Sequence, residues 1–294
     1  MDHAIRRVAV TGASGNVGGA VARALIARGL SVVNLDRRPS TDANLPSVLI
    51  DLRDREAVHR ALSQVDAVCH LGEIPNLCGL PPAEVFAHNT AVSAAVFQAA
   101  ADLKLRRVVY ASSIQYYGFC GSSSAVPRYL PVDEAHPPQP QQAYALSKVA
   151  NESYAQLAAA RQGLSIAAIR LPWMSSWRLD GSADLSFLDR PTETAYELGT
   201  YLHVRDGATA FAAALLSPRP GFEAYNVMAP NALTNRPLAD VLREAHPTYP
   251  ALPANWSALR CPYNDSKFRT HFAWAPQVDI VALHQQNALH PSAR

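Results

Sequence analysis

Along the first 171 residues, short β-branched runs alternate with longer stretches in which apolar residues recur every three or four positions. The runs at 7–11, 31–36, 48–51, 66–71, 107–112 and 165–171 predict strands. The segments 16–28, 54–63, 81–103 and 144–161 predict helices, the second capped by Asp54, whose carboxylate can accept from the first free amides. Regular alternation of the two element types predicts an α/β fold, a doubly wound parallel sheet with helices on both faces. Residues 118–142 are too punctuated by Pro, Gly and Ser for regular structure.

After Pro172 the pattern weakens. Residues 172–200 mix Trp, Ser, Asp and Pro without periodicity, while 201–204, 206–216 and 224–227 read as strand, helix and strand. The remainder, 230–294, reads as short helices separated by prolines. The expected organisation is a nucleotide-binding core over 1–171 that also receives 201–228, and a smaller C-terminal substrate-binding lobe from 172–200 and 229–294. No internal repeat is visible.

Composition narrows the class. Of 294 residues, 49% are hydrophobic and 17% charged, with a formal charge of +2, which excludes a disordered chain. So small a charge leaves no basic footprint for nucleic acid. The four cysteines, Cys69, Cys78, Cys120 and Cys261, have no metal-ligand or CxxC spacing and read as free thiols of a reducing compartment. The apolar run at 208–216 is far short of the roughly 20 residues a membrane span needs. The first strand begins too early for a signal peptide, so the expectation is a soluble, cytoplasmic protein without a metal or membrane partner. His70 and His203 fall in or beside strand patterns and read as core histidines.

Between the first strand and helix lies Thr11-Gly12-Ala13-Ser14-Gly15-Asn16-Val17-Gly18. Glycines there let a backbone approach a pyrophosphate, and the helix start supplies free N–H groups and partial positive charge. Asp36 ends the next strand, 24 residues beyond Gly12, where a carboxylate can grip ribose hydroxyls and repel a 2′-phosphate. Arg37 and Arg38 follow and could counter that repulsion, yet the arrangement favours NAD over NADP on a Rossmann-type sheet. Farther on, Tyr144 and Lys148 stand four residues apart on one helix face. A phenol of pKa about 10 is a poor base near neutrality, and a neighbouring ammonium should lower that value. Such a tyrosine can take the proton of a secondary alcohol while hydride leaves the same carbon. Ser113, closing the fifth strand, should face the same crevice and donate to the substrate oxygen.

With these pieces the chain resembles the extended short-chain dehydrogenase/reductases, the NAD-dependent epimerase/dehydratase family. The matching segments run in order: 11–18, Asp36, Asp51-Leu52, His70-Leu71-Gly72, Asn89, 110–118, Asp133-Glu134, 144–148 and 201–206. The resemblance implies a Ser113, Tyr144 and Lys148 triad, Asp51 and Leu52 as adenine contacts, and Leu71 and Gly72 beside the cofactor. It further implies Asn89 at the cofactor, Lys148 on the nicotinamide ribose, and a homodimer in which the helices of Asn89 and Tyr144 pair with their copies.

Three departures shape the chemistry. Where dehydratases of the family place Asp-Glu, and some epimerases a Cys, this chain has Ile114 and Gln115. Trp173 stands where sugar-nucleotide enzymes of the family have a diphosphate-binding Asn, and no glycine follows until Gly181. The only basic residues of 172–205 are Arg178, Arg190 and Arg205. These point to an NAD-dependent oxidoreductase acting on a secondary alcohol or ketone of a sugar-like small molecule, with Asn76, Ser112, Gln115, Trp173 and Arg178 as candidate substrate contacts. Trp173 and Trp177 could stack on an apolar sugar face or an aromatic substrate, though two Trp in a small lobe more often serve packing. A nucleotide-sugar 4-epimerase with retained NAD is the alternative, and a non-catalytic dinucleotide sensor the third.

Overall fold

The structure, a computed structural model, describes residues 4–76, 78–120, 125–180, 182–190 and 196–289. Its strands are β1 (Arg7–Thr11), β2 (Ser31–Asp36), β3 (Ser47–Leu49), β4 (Ala67–His70), β5 (Arg107–Ser113), β6 (Ile166–Leu171), β7 (Trp173–Ser175), β8 (Tyr201–His203) and β9 (Phe222–Asn226). Its α-helices are α1 (Asn16–Ile26), α2 (Arg55–Leu62), α3 (Pro82–Asp102), α4 (Ala143–Gln162), α5 (Val204–Leu216), α6 (Leu238–Ala245), α7 (Ser266–Phe272) and α8 (Ile280–Leu289). Seven strands form one parallel sheet in the order β3-β2-β1-β4-β5-β6-β9. This is the expected doubly wound Rossmann-type architecture.

The strands read as continuous apolar runs because both sheet faces are covered. Val8, Val10, Cys69, Val109 and Ile169 point to a core shared with Val21 and Leu25 of α1 and Phe211 of α5. The alternate positions Ala9, Val68, Val108, Tyr110 and Ala168 pack with Val58 of α2, Val96 and Phe97 of α3, and Ala155 of α4. Asp54 caps α2 as expected, its carboxylate accepting from Ala57 N at 3.0 Å. His70 and His203 are buried, and His203 accepts from Arg205 N at the start of α5. Among the described residues no helix is long and apolar enough to cross a membrane.

Two placements differ from the sequence pattern. Residues 173–175, read as irregular, form β7, which pairs in parallel with β8 as a separate two-stranded sheet. The Trp-Met-Ser run that forms β7, set between Pro172 and a polar stretch, carries no alternation to mark it. Part of the segment expected in the small lobe, α7, instead packs Phe268 and Phe272 into the core beneath β9. The lobe itself is held by two further apolar clusters, one joining Ile114, Tyr117 and Phe119 to Leu238 and Leu242, the other joining Leu185, Leu188 and Tyr201 to Ile280.

A buried ion pair anchors β6 beneath the strand ends. Arg170 donates to Glu152 of α4 through Nε (3.0 Å) and Nη2 (2.7 Å), and through Nη1 to Tyr117 OH (2.6 Å). Its guanidinium lies 3.7 Å from the centre of the Tyr116 ring. Both charges are out of water, so removing one strands the other. Arg170→Met should therefore cost about 3–5 kcal/mol in urea denaturation, and Arg170→Met with Glu152→Met should recover most of that loss.

Candidate active site

The carboxyl ends of the central strands open onto two adjoining cavities. The larger, about 800 Å³, runs over Gly12, Gly15, Asn16 and Val17, past Asp36 and Arg37, to Asp51, Leu52 and Gly72. Gly12 has φ +74°, and a Cβ there would lie 2.7 Å from Leu71 O; a Cβ on Gly18 would lie 2.3 Å from Gly12 O. Only glycine permits a turn this tight with α1 seated directly on it. Gly15 caps α1 without a side-chain bond, so the first-turn amides have no partner within the helix, which suits an anion. The groove thus fits a dinucleotide pyrophosphate, and the Asp36 carboxylate at the end of β2 fits a ribose diol.

Other predicted cofactor residues act on the loop instead. Ser14 donates to Arg38 O at 2.6 Å and accepts from Asn34 Nδ2 at 2.9 Å, which ties the glycine turn to β2. Asn89 clamps Ile74, accepting from its N at 2.9 Å and donating to its O at 3.0 Å. Neither is among the groove-lining residues. Asp51 pairs with Arg53 at 2.5 Å, and the bond from that guanidinium holds the carboxyl well below the usual range.

The second cavity, about 330 Å³, is where Ser113, Tyr144 and Lys148 converge, with Leu71 and Val17 on its groove side. Ser113 sits at the end of β5, close enough to the Tyr144 phenol for its hydroxyl to favour the ionised form. Lys148, one turn along α4, places Nζ 5.2 Å from the Tyr144 ring centre and donates to Ala111 O at 2.7 Å. The helix spacing therefore delivers phenol and ammonium to one face, as expected.

Sequence reasoning missed the partner of that ammonium. Lys148 Nζ donates to Glu73 Oε2 at 2.5 Å, and both side chains are about 95% buried, at 4% and 5% exposure. The other oxygen, Oε1, accepts from Tyr110 OH (3.0 Å), Asn151 Nδ2 (2.8 Å) and Ser93 Oγ. Because Ser93 spends its proton on Glu73, His70 Nε2 must donate to Ser93 Oγ at 2.9 Å, leaving Nδ1 to accept from Thr11 Oγ1 at 2.8 Å. Burial lowers the His70 pKa to about 4, so the ring is neutral and the chain of bonds is unbroken. Thr11 Oγ1 in turn accepts from Leu71 N and Gly72 N.

Burial, with Glu73 adding to it, reverses an expectation about Tyr144. The phenol is raised above its ordinary pKa: burial is the largest cause, Lys148 opposes it, and the Glu73 charge adds to the rise. An adjacent ammonium lowers a phenol only to the extent that nothing neutralises it. Lys148 itself is raised well above the usual lysine value, because Glu73 and the two phenols outweigh the burial that would lower it.

The five predicted substrate contacts separate. Asn76 (φ +56°), Ser112, Gln115 and Trp173 line the second cavity. Ser112 Oγ donates to Glu152 at 2.5 Å, and Trp173, 48% exposed, meets Trp177 edge-on with ring centres 5.0 Å apart. Arg178 lies outside the cavity lining, exposed and paired with Asp180 at 2.6 Å. A second carboxyl missed in the sequence, Glu197, enters the cavity from the turn before β8, accepting from Gln115 Nε2 at 3.0 Å and Trp173 N at 2.9 Å. Among the described residues no group of His, Cys, Asp and Glu could hold a metal ion.

Residues 8–190 match the model of the NAD dependent epimerase/dehydratase family. The chain is 33% identical to an L-arabinose 1-dehydrogenase (NAD(P)(+)) of Haloferax volcanii, across 57% of this chain and 67% of that one. It is 24% identical to a UDP-glucose 4-epimerase of Lacticaseibacillus casei, across 93% of both. A short-chain dehydrogenase/reductase superfamily protein from Agrobacterium tumefaciens, solved with bound NAD, has the same fold, with a TM-score of 0.72 at 22% identity over 97% of each chain.

Neutralising Glu73 without shortening it should release the Lys148 field onto the phenol. In Glu73→Gln, the Tyr144 ionisation, read as the tyrosinate absorbance lost on adding Tyr144→Phe, should move about one pH unit or more downward. An unmoved midpoint would show that burial alone sets it.

Proposed function

This chain belongs to the NAD dependent epimerase/dehydratase family, and on that premise we propose that it moves hydride to or from a secondary alcohol or ketone of a sugar-like small molecule. The observation that carries this reading is the convergence of Ser113, Tyr144 and Lys148 on one cavity that opens into the glycine-floored groove. NAD, bound in that groove, supplies the carbon that accepts or returns the hydride. Tyr144 Oη takes the alcohol proton or gives it back, and Ser113 Oγ donates to the substrate oxygen as charge develops there. Lys148 holds positive charge beside the phenol and is placed to bond ribose hydroxyls. With Tyr144 raised above its ordinary pKa, the phenol is protonated at neutral pH. Carbonyl reduction then needs no prior ionisation, whereas alcohol oxidation should quicken as pH rises.

Asp36 supports NAD over NADP, since its carboxylate lines the groove where a 2′-phosphate would have to sit. The likeness to sugar dehydrogenases supports the substrate class. The near full-length likeness to an epimerase favours a second reading, a nucleotide-sugar 4-epimerase that retains its NAD. Replacement of the expected diphosphate-binding Asn by Trp173 weighs against it. A homodimer is also part of this reading: Leu146 and Leu157, three turns apart on one face of α4, are 47% and 44% exposed. Light scattering should return the mass of two chains, and Leu146→Asp with Leu157→Asp the mass of one.

Incubating the enzyme with NAD and free sugars, sugar acids or nucleotide sugars should give net NADH absorbance with a non-nucleotide substrate. Tyr144→Phe should lower that rate by about a hundredfold or more, with NAD binding retained. Sugar interconversion without NADH would favour the epimerase, and turnover unchanged in Tyr144→Phe would remove the proposed chemistry.

A further inference from the structure

The substrate cavity has almost no free positive charge. Among the described residues lining it, Lys148 is the one cation, and Glu73 is bonded to it. A second carboxyl, Glu197, 4% exposed, lines it too, with no cation among the described residues bonded to its carboxylate. Beside it, Gln115 directs its Nε2 to Glu197, and its Oε1 is buried with no hydrogen-bond partner. Buried polar atoms are seldom left without a partner, and Gln115 lines the cavity, so its orphan acceptor, closed off until the amide shifts, points to a donor that arrives with the ligand.

Resting on the oxidoreductase reading, we propose that Glu197 and Gln115 form a hydroxyl-recognition subsite, which makes the substrate an uncharged polyhydroxylated molecule and disfavours sugar acids and diphosphate-linked sugars. A carboxylate and an amide oxygen side by side accept from the two hydroxyls of a vicinal diol, in bonds strengthened by the carboxylate charge. A substrate carboxylate or phosphate has the opposite fate. It brings acceptors to acceptors and negative charge to Glu197, and the lone ammonium is already neutralised. The cavity volume, about 330 Å³, is at the small end for ligand sites and suits a single sugar unit.

Glu197 sits in a mostly uncharged setting. The titratable groups that feel its charge include Tyr144, Cys120 and Tyr263, all raised by burial and therefore protonated at neutral pH. Burial pushes the Glu197 carboxyl up to about 7, against the bonds from Gln115 and Trp173 N. Ionised Glu197 is the better acceptor, so kcat/KM for a hydroxylated substrate should rise through that region as pH increases.

The test compares matched pairs that differ only at C6, D-galactose with D-galacturonate and D-glucose with D-glucuronate, by NADH formation. The neutral member should have at least a tenfold higher kcat/KM. In Glu197→Gln that preference should shrink at least tenfold and the inflection near pH 7 should vanish, leaving only the smooth rise that Tyr144 supplies, with the NAD dissociation constant unchanged. A preference for the uronates, or a neutral preference that survives intact in Glu197→Gln, would overturn the subsite and leave the oxidoreductase reading standing. No NADH from any sugar, neutral or acidic, would remove both.

Discussion

The carboxyl end of the sheet depends on one buried ion pair, Glu73 with Lys148. Two opposite charges removed from water are tolerated only when their remaining valences are filled. Here they are: Ala111 O takes a second lysine proton, and Tyr110, Asn151 and Ser93 fill the other carboxylate oxygen. The pair therefore locks the loop after β4 to α4, and through Ser93, His70 and Thr11 the same bonds reach the end of β1 and the backbone of Leu71 and Gly72. The glycine-floored groove and the helix that carries Tyr144 and Lys148 thus share one hydrogen-bonded unit. Polarity shared across such a chain strengthens each link while the unit is whole and makes any broken link expensive.

That unit also sets the electrostatic character of the site. Burial of the phenol outweighs the lysine beside it, and the Glu73 charge adds to that rise. The resting tyrosine is then an acid, and the Lys148 charge is committed to Glu73 before any substrate arrives. Gln115 and Glu197 add acceptors to the same cavity, with no cation among the described residues bonded to either.

Much of this was legible in the sequence, and the rest was hidden for a definite reason. Strand and helix alternation, the glycine turn, Asp36 and the Tyr144–Lys148 spacing are local features, expressed within one element or one turn. Glu73 lies 75 positions from Lys148, and Glu197 lies 82 from Gln115. A lone glutamate after His70-Leu71-Gly72 carries no periodicity or spacing that distinguishes it from a solvated one. The direction of the Tyr144 shift was hidden for a related reason: the ammonium four residues away was visible, and neither the burial of the phenol, which outweighs it, nor the Glu73 carboxylate was. Arg178 failed in the opposite sense, since a nearby Asp180 satisfied it at the surface.

The placement of Glu197 shows how the lobe enters the chemistry. Glu197 and Leu198 both adopt left-handed backbone, with φ of 50° and 59°. Each such non-glycine residue costs about 1–3 kcal/mol, so neither conformation would persist in an isolated turn. The compensation is tertiary. Leu198 is 1% exposed in the cluster with Ile114, Tyr117 and Leu238, and the next residue, Gly199, accepts from Leu233 N at 2.8 Å. The same cluster contains Ile114, immediately after Ser113 and next to Gln115. One apolar core therefore positions both the carboxyl and the amide that holds it, at the carboxyl end of the strand that carries Ser113. A carboxylate held in this way is pre-set for a ligand, because its strain has already been met by folding and need not be supplied on binding.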